Sequence, residues 1–413
     1  MKLSFSSCFL AIFMITALIH AGTTRDLRNV AEPKIPKTYA SLKATGADDT
    51  AAIQKALDSC AKGEAVALSS GIFHSGPLNI PSGVSLLVDS GVTLKAIPDP
   101  KLYDLGDNRC GTINYYGTVC KAFITISNAK GSGIYGKGTI DGQGGEKMIG
   151  YDISWWTLTV NADVKGIAVR NPLLVNINDS EDITVYQITL INSPFHHLVG
   201  TRTKGFTVWG VTVNTPHATR YNDGIVADGS QNVTIAFSNV FTQSDNIGVW
   251  SLNAPAKQIS VYNNNLISGS GLTIWSATLY GVSEVSFCNI TLSNLYYGIR
   301  IFSDKQKGRL VSNIIYDNIC IINVLNPINL DTDFFHLNGS RTPEFRDINF
   351  NNVWVKTGGN FILNGNSDSY PIQVSMNDVH VPKDTVWSVN YSKIKGKLLD
   401  DSDNKSCGQF GIN

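Results

Sequence analysis

The chain has 413 residues, 33 Lys+Arg against 33 Asp+Glu, and a formal net charge of zero. So balanced and sparse a charge (16% of residues) excludes nucleic acid and anionic membrane surfaces as expected partners. The length is ample for a large core, and a domain count from length alone fails for elongated repeat folds.

The first residues, MKLSFSSCFLAIFMITALIHAG, combine Lys2 with an apolar run from Cys8 to Ile19 that is too short to span a bilayer. Residues 1–21 are expected to be a signal peptide cleaved after Ala21, although Ile19 is bulkier than such sites prefer. No later segment is long and apolar enough to span a membrane. The mature chain, 22–413, is therefore expected to be a soluble, secreted monomer. Next comes DDTAAIQKALDSCAKG, residues 48–63, an expected helix capping the open end of the core.

Six cysteines remain: Cys60, Cys110, Cys120, Cys288, Cys320 and Cys407. Cys110 and Cys120 close the short polar loop CGTINYYGTVC, and an oxidising compartment permits a disulfide there. The others are left unassigned. No Cys/His spacing suits zinc, and no metal or organic cofactor is implied. Sequons fall at Asn178, Asn232, Asn289, Asn338, Asn390 and Asn404, in a chain rich enough in Asn, Ser and Thr to produce several by chance.

Eight segments then share one pattern: ITVYQITL from Ile183, FTVWGVTV from Phe206, VTIAFSNV from Val233, ISVYNNNL from Ile259, VSFCNITL from Val285, IIYDNICI from Ile314, INFNNVWV from Ile348 and VSMNDVHV from Val374. Positions 1, 3 and 8 are always apolar or aromatic; position 6 is apolar except at Ser238 and Asn264. Period-2 alternation that shifts phase midway predicts two short strands joined by a bend. The starts lie 23, 27, 26, 26, 29, 34 and 26 residues apart, a period that predicts stacked coils. A sandwich would show Asn-Gly hairpins between paired strands, and few occur. The expected fold class is all-β: a single-stranded right-handed parallel β-helix with a short N-terminal capping helix and a C-terminal tail at about 392–413.

After each repeat comes a second short strand. Four successive ones read DGIVAD from Asp223, DNIGVW from Asp245, SGLTIW from Ser270 and YGIRIF from Tyr297. Aligned, Ile225, Ile247, Leu272 and Ile299 point inward. Val226, Gly248, Thr273 and Arg300 form one outward column, and Asp228, Trp250, Trp275 and Phe302 another. Asp223 and Asp245 are 22 residues apart, one coil, so they should lie side by side on one face, about 5 Å apart at the backbone. Two carboxylates in register, with an Arg two coils on, point to a functional site rather than to two turn residues.

From about Val30 to Tyr391 the chain resembles the polygalacturonases of glycoside hydrolase family 28, of the bacterial type. The stretches that carry the likeness are SGPLNIPSGVSLLVDSGVTL, GKGTIDGQGG, Ser154-Trp155-Trp156, LINSP and TPHATRYNDGI. GTIDGQGG has no Lys-Ser/Thr after it and is read as a turn between coils, not a phosphate loop. The resemblance implies cleavage of α-1,4-galacturonan with inversion, on motifs Asn-Thr-Asp, Gly-Asp-Asp, Gly-His-Gly and Arg-Ile-Lys. This chain has Tyr221-Asn222-Asp223, Gln243-Ser244-Asp245, Gly269-Ser270-Gly271 and Arg300-Ile301-Phe302. The water-holding carboxylates Asp223 and Asp245 are thus retained. The general acid is replaced by Ser244, the His by Ser270 and the substrate-binding Lys by Phe302, while Arg300 stays.

Inverting hydrolysis needs an acid on the leaving oxygen and a base on the water, on opposite faces of the sugar. A serine hydroxyl cannot be that acid, and loss of general-acid assistance costs roughly 10²–10⁴ in rate. Asp228 lies five residues along the strand from the acid's column, out of register to replace it. Trp250, Trp275 and Phe302 are expected as three outward aromatics where cations would grip a polyanion. The expected protein is a catalytically inactive or strongly impaired carbohydrate-binding member or decoy. Its ligand would be galacturonan or a more neutral glycan, with room for a secreted protein partner. The alternative is an active inverting hydrolase with a rearranged acid and altered specificity.

Overall fold

A computed structural model describes residues 27–113, 120–167, 169–216, 220–383 and 385–400. The expected signal peptide, the sequon at Asn404 and Cys407 lie outside the described residues. Every ladder between the named strands is parallel, each strand pairing with its counterpart one coil away. The result is the expected parallel β-helix: three parallel ladders wrapped around one apolar column.

The phase shift in the repeat has a backbone cause. The fifth residue of all eight segments has positive φ: Gln187, Gly210, Phe237, Asn263, Asn289, Asn318, Asn352 and Asp378, between 50° and 65°. One left-handed residue swings the chain around a corner and exchanges the inward and outward sets of side chains. The first three segments are each two short strands, as at Glu181–Tyr186 and Thr189–Ile191. Further on the pairing runs unbroken through the corner, giving strands as long as Leu310–Asp331.

Asparagine tolerates this conformation best after glycine, and here it also stacks. Asn289 Nδ2 donates to Asn263 Oδ1 (3.1 Å), Asn318 to Asn289 (2.6 Å) and Asn352 to Asn318 (2.8 Å). Trp354 Nε1 ends the ladder on Asn352 Oδ1 at 2.7 Å. The Asn289 sequon sits inside this ladder, and a glycan there would take the nitrogen that bonds Asn263.

The inward positions fill one column with no exposed surface, including Ile183, Phe206, Val233, Ile259, Ile314 and Ile348. The two polar exceptions at position 6 are satisfied by each other's neighbourhood. Asn264 Oδ1 accepts from the Ser238 amide (2.8 Å) and its Nδ2 donates to the Ile235 carbonyl (3.0 Å). Ser238 Oγ accepts from the Val211 amide at 3.2 Å. Buried polar groups cost little only when bonded in this way.

The N-terminal helix spans Thr50–Ser59, shorter than 48–63, and turns Ile53 and Leu57 onto the end of the core. At the other end, Ser392–Asp400 is not a tail but a strand paired with Ile372–Val381. Cys110 and Cys120 form the expected disulfide. Cys60 and Cys288 are free thiols, and Cys320 is disulfide-bonded. Among the described residues no helix is long and apolar enough to cross a membrane.

Candidate active site

The site lies on the ladder built from Leu198–Thr201, Ile225–Asp228, Asp245–Trp250, Ser270–Ile274 and the end of Val282–Phe302. Its register runs Ile225, Ile247, Leu272, Ile299 inward and Val226, Gly248, Thr273, Arg300 outward, as expected. Asp245, Ser270 and Tyr297 stand opposite one another at the strand entrance, with Asp223 one coil before Asp245.

Two side chains hold the loop before this ladder in place. Trp156, on the helix Trp155–Asp163, donates Nε1 to the Ser193 carbonyl at 2.9 Å. A Cβ at Gly144 would lie 2.4 Å from that same nitrogen and one at Gly145 2.6 Å from the indole ring, so these two glycines of GTIDGQGG are needed for the indole to seat. Asn222 Nδ2 donates to the carbonyls of Ser193 (2.8 Å) and Phe195 (3.2 Å). Loop 193–196 is thereby tied to the residue preceding Asp223.

Asp223 and Asp245 are both buried. The Asp245 amide donates to Asp223 Oδ1 at 3.2 Å, and the Ser244 side chain favours the charged form of the Asp223 carboxylate. Asp223 Oδ2 lies 3.3 Å from His196 Nδ1. Thr273 Oγ1 donates to Asp245 Oδ1 at 3.0 Å. Burial pushes both carboxyls above the usual aspartate range, and for Asp245 the neighbouring charge of Asp223 adds to it. The neighbouring imidazole brings Asp223 no positive charge: burial, reinforced by the charge of Arg170, lowers His196 to about 3 and keeps it neutral near neutral pH.

His197, fully buried, is a brace. Its Nδ1 sits 3.0 Å from the Asp223 carbonyl and its Nε2 2.5 Å from Thr215 Oγ1. His196, Thr273 and Arg170 were not singled out as site residues in the sequence. The FHH that follows LINSP was the available signal for the first, and Thr273's place in the outward column for the second.

Asp228 is committed elsewhere. Its Oδ1 accepts from the Leu252 amide at 2.9 Å and its Oδ2 from Asn253 Nδ2, so it anchors the following loop.

The aromatic column departs from expectation at one end. Trp250 and Trp275 are half-buried and pack at 4.9 Å and 35°. The Trp250 indole folds back over Gly248, where a Cβ would lie 2.9 Å from its Nε1, and meets His196 edge-on at 5.4 Å. Phe302, however, is only 3% exposed. It is covered by Phe334 (5.0 Å) and Phe335 (6.0 Å), which the following coil lays across it. Three exposed aromatics therefore reduce to two. Phe302 serves instead as one wall around Arg300, whose guanidinium lies 3.7 Å from its ring, 4.1 Å from Tyr297 and 4.5 Å from Phe334. Arg300 is half-buried, and the charges of Asp245 and Asp331 favour its cation against the burial that opposes it.

This cleft, two carboxylates on adjacent rungs beside an aromatic floor, sits on a chain with strong relatives. The family model for glycosyl hydrolases family 28 matches residues 61–405. An endo-polygalacturonase of Pectobacterium parmentieri is 40% identical over 391 residues, spanning 94% of this chain and 97% of the relative. A polygalacturonase of Ralstonia solanacearum is 31% identical, spanning 90% of this chain and 84% of the relative. The solved structure of the Erwinia carotovora ssp. carotovora polygalacturonase superposes with a TM-score of 0.87 at 40% identity, covering 90% of this chain and all of that one. Fold and sequence agree, and the chain belongs to glycosyl hydrolase family 28.

Proposed function

We propose that this protein holds a galacturonan-type polysaccharide in the cleft and that its power to hydrolyse it is lost or severely reduced. One observation carries the second half. At the position where the family resemblance calls for a general acid stands Ser244, beside the Asp223 carboxylate, whose charged form its side chain favours. A hydroxyl has no proton to give a leaving oxygen near neutral pH, and it stands beside a carboxyl already held by Asp245. The relatives' names, endo-polygalacturonase and polygalacturonase, support a polysaccharide of this class as the ligand.

The reading of an active enzyme with rearranged acid has one observation in its favour. Both carboxyls are pushed up, so the pair retains a proton at higher pH than ordinary aspartates. The geometry weighs against it. An inverting acid and base flank the scissile bond about 6.5–9.5 Å apart, whereas Asp223 and Asp245 stand on adjacent rungs with the amide of one bonded to the other. Both serve the water side.

Reducing-end release from polygalacturonate, run beside binding to the same polymer, tests the proposal: binding without release is expected, and turnover at a family rate would overturn it. Export from the cell on residues 1–21 is proposed on the same footing. N-terminal sequencing of protein from the medium should begin at Gly22, and retention of Met1 on the extracellular protein would refute it.

A further inference from the structure

Lys307 lies outside every motif discussed above. It follows the strand that ends at Phe302, in the loop that passes beside the aromatic floor. Its backbone is fixed from below: the amide donates to Asp304 Oδ1 at 3.1 Å, and the carbonyl accepts from Thr278 Oγ1 at 3.3 Å. Asp304 and Thr278 are both fully buried. The side chain runs outward from this anchor, and its ammonium stands 5.6 Å from the Trp275 ring and 5.7 Å from the Phe335 ring. Among the described residues it pairs with no carboxylate. Arg300, another cation of this region, is shut between Tyr297, Phe302 and Phe334.

An ammonium held over the Trp275 ring, beside the Trp250–Trp275 pair, is a two-part recognition element. The indole takes the apolar face of a sugar ring, and the ammonium takes an anionic substituent of the same ring. A lysine is a flexible point charge, suited to a carboxylate whose orientation is set by the ring beneath it. Resting on the polysaccharide-binding reading above, the geometry points to Lys307 as the specificity-determining residue of this cleft. A sugar packs against the open flank of the Trp250–Trp275 pair and places its carboxylate on the Lys307 ammonium. The cation missing at Phe302 is supplied from the next loop, and the ligand is an acidic glycan rather than a neutral one.

The test is isothermal titration of the full-length protein with hexagalacturonate and with its fully methyl-esterified counterpart, which has the same rings and no charge. Wild type should bind the acidic oligomer more tightly, with the advantage shrinking as salt is raised. Lys307→Met should weaken the acidic oligomer roughly tenfold or more, the worth of a charge-assisted contact, and leave the ester unchanged. Lys307→Arg should recover most of the loss, and Trp275→Ala should weaken both ligands.

Equal affinity of wild type and Lys307→Met for the acidic oligomer overturns the assignment while leaving glycan binding intact. Failure of wild type to bind either oligomer overturns both. Circular dichroism on each variant separates loss of contact from loss of fold, and the position is on an anchored loop outside the core. Shortening of the hexamer during titration reports separately on catalysis.

Discussion

The Asp245 amide donates to the Asp223 carboxylate at 3.2 Å, so the first retained acid of the site is positioned by the coil that carries the second. This is what a β-helix does for a site: residues 22 apart become neighbours because one turn of the chain separates them. It also confines the pair to one side of any bound sugar.

The raised carboxyls make stability depend on pH in a defined direction. An Asp whose folded pKa is raised binds its proton more tightly folded than unfolded, so its contribution is full below the ordinary aspartate range. It is lost as pH climbs from there toward neutrality, through the raised values. Asp245→Asn, which keeps the shape without the charge, should raise the melting temperature near pH 8 and have little effect near pH 4. Thermal unfolding of both proteins across that range checks the sign. A variant destabilised equally at both ends would contradict it.

Ser244→Asp should restore little activity alone. The new carboxyl would stand against Asp223 and Asp245, where like charge opposes ionisation of all three. Adding Ser270→His and Trp250→Lys should exceed the product of the single gains, since losses in a catalytic unit are non-additive. Reducing-end release by the single, double and triple variants, each shown to be folded, measures this; strictly multiplicative gains would count against a shared unit.

Phe302→Lys, an obvious step toward the family motif, should instead damage the fold. The ring is buried under Phe334 and Phe335 and walls in Arg300. Removing it and burying an ammonium beside that guanidinium should cost on the order of 3 kcal/mol or more. Urea denaturation gives the number, and a loss under about 1 kcal/mol, the scale of an ordinary surface change, would mean the pocket is open.

Much of this was legible in the sequence, for a physical reason. Inward residues of a solenoid repeat every coil, so Ile225, Ile247, Leu272 and Ile299 could be aligned without a structure, and the outward columns followed. Position 5 of the repeat looked like mere variation among Gln, Gly, Phe, Asn and Asp, yet all share a left-handed backbone. Phe302 was misjudged because register says which way a side chain points, not what the next loop lays over it. His196 and Lys307 escaped because they reach the cleft from loops outside the aligned strands.

The asparagine corner should carry measurable stability. Asn318→Ala removes the middle of the ladder, losing bonds to both Asn289 and Asn352, and puts a Cβ residue with no polar side chain at φ 59°. A cost of about 2–4 kcal/mol is expected from the two bonds and the backbone strain together. Asn318→Gly should recover part of it by relieving the strain alone. Denaturant midpoints of the two variants decide, and equal losses would show that backbone conformation contributes nothing at this corner.

The most direct measurement is reducing-end release from polygalacturonate by the purified protein across pH 4 to 8. With no acid at Ser244, turnover should lie at least about 10²-fold below that of an ordinary family member. Any residual rate should disappear in both Asp223→Asn and Asp245→Asn. Turnover within tenfold of an ordinary member, or a rate that survives both substitutions, would contradict the account.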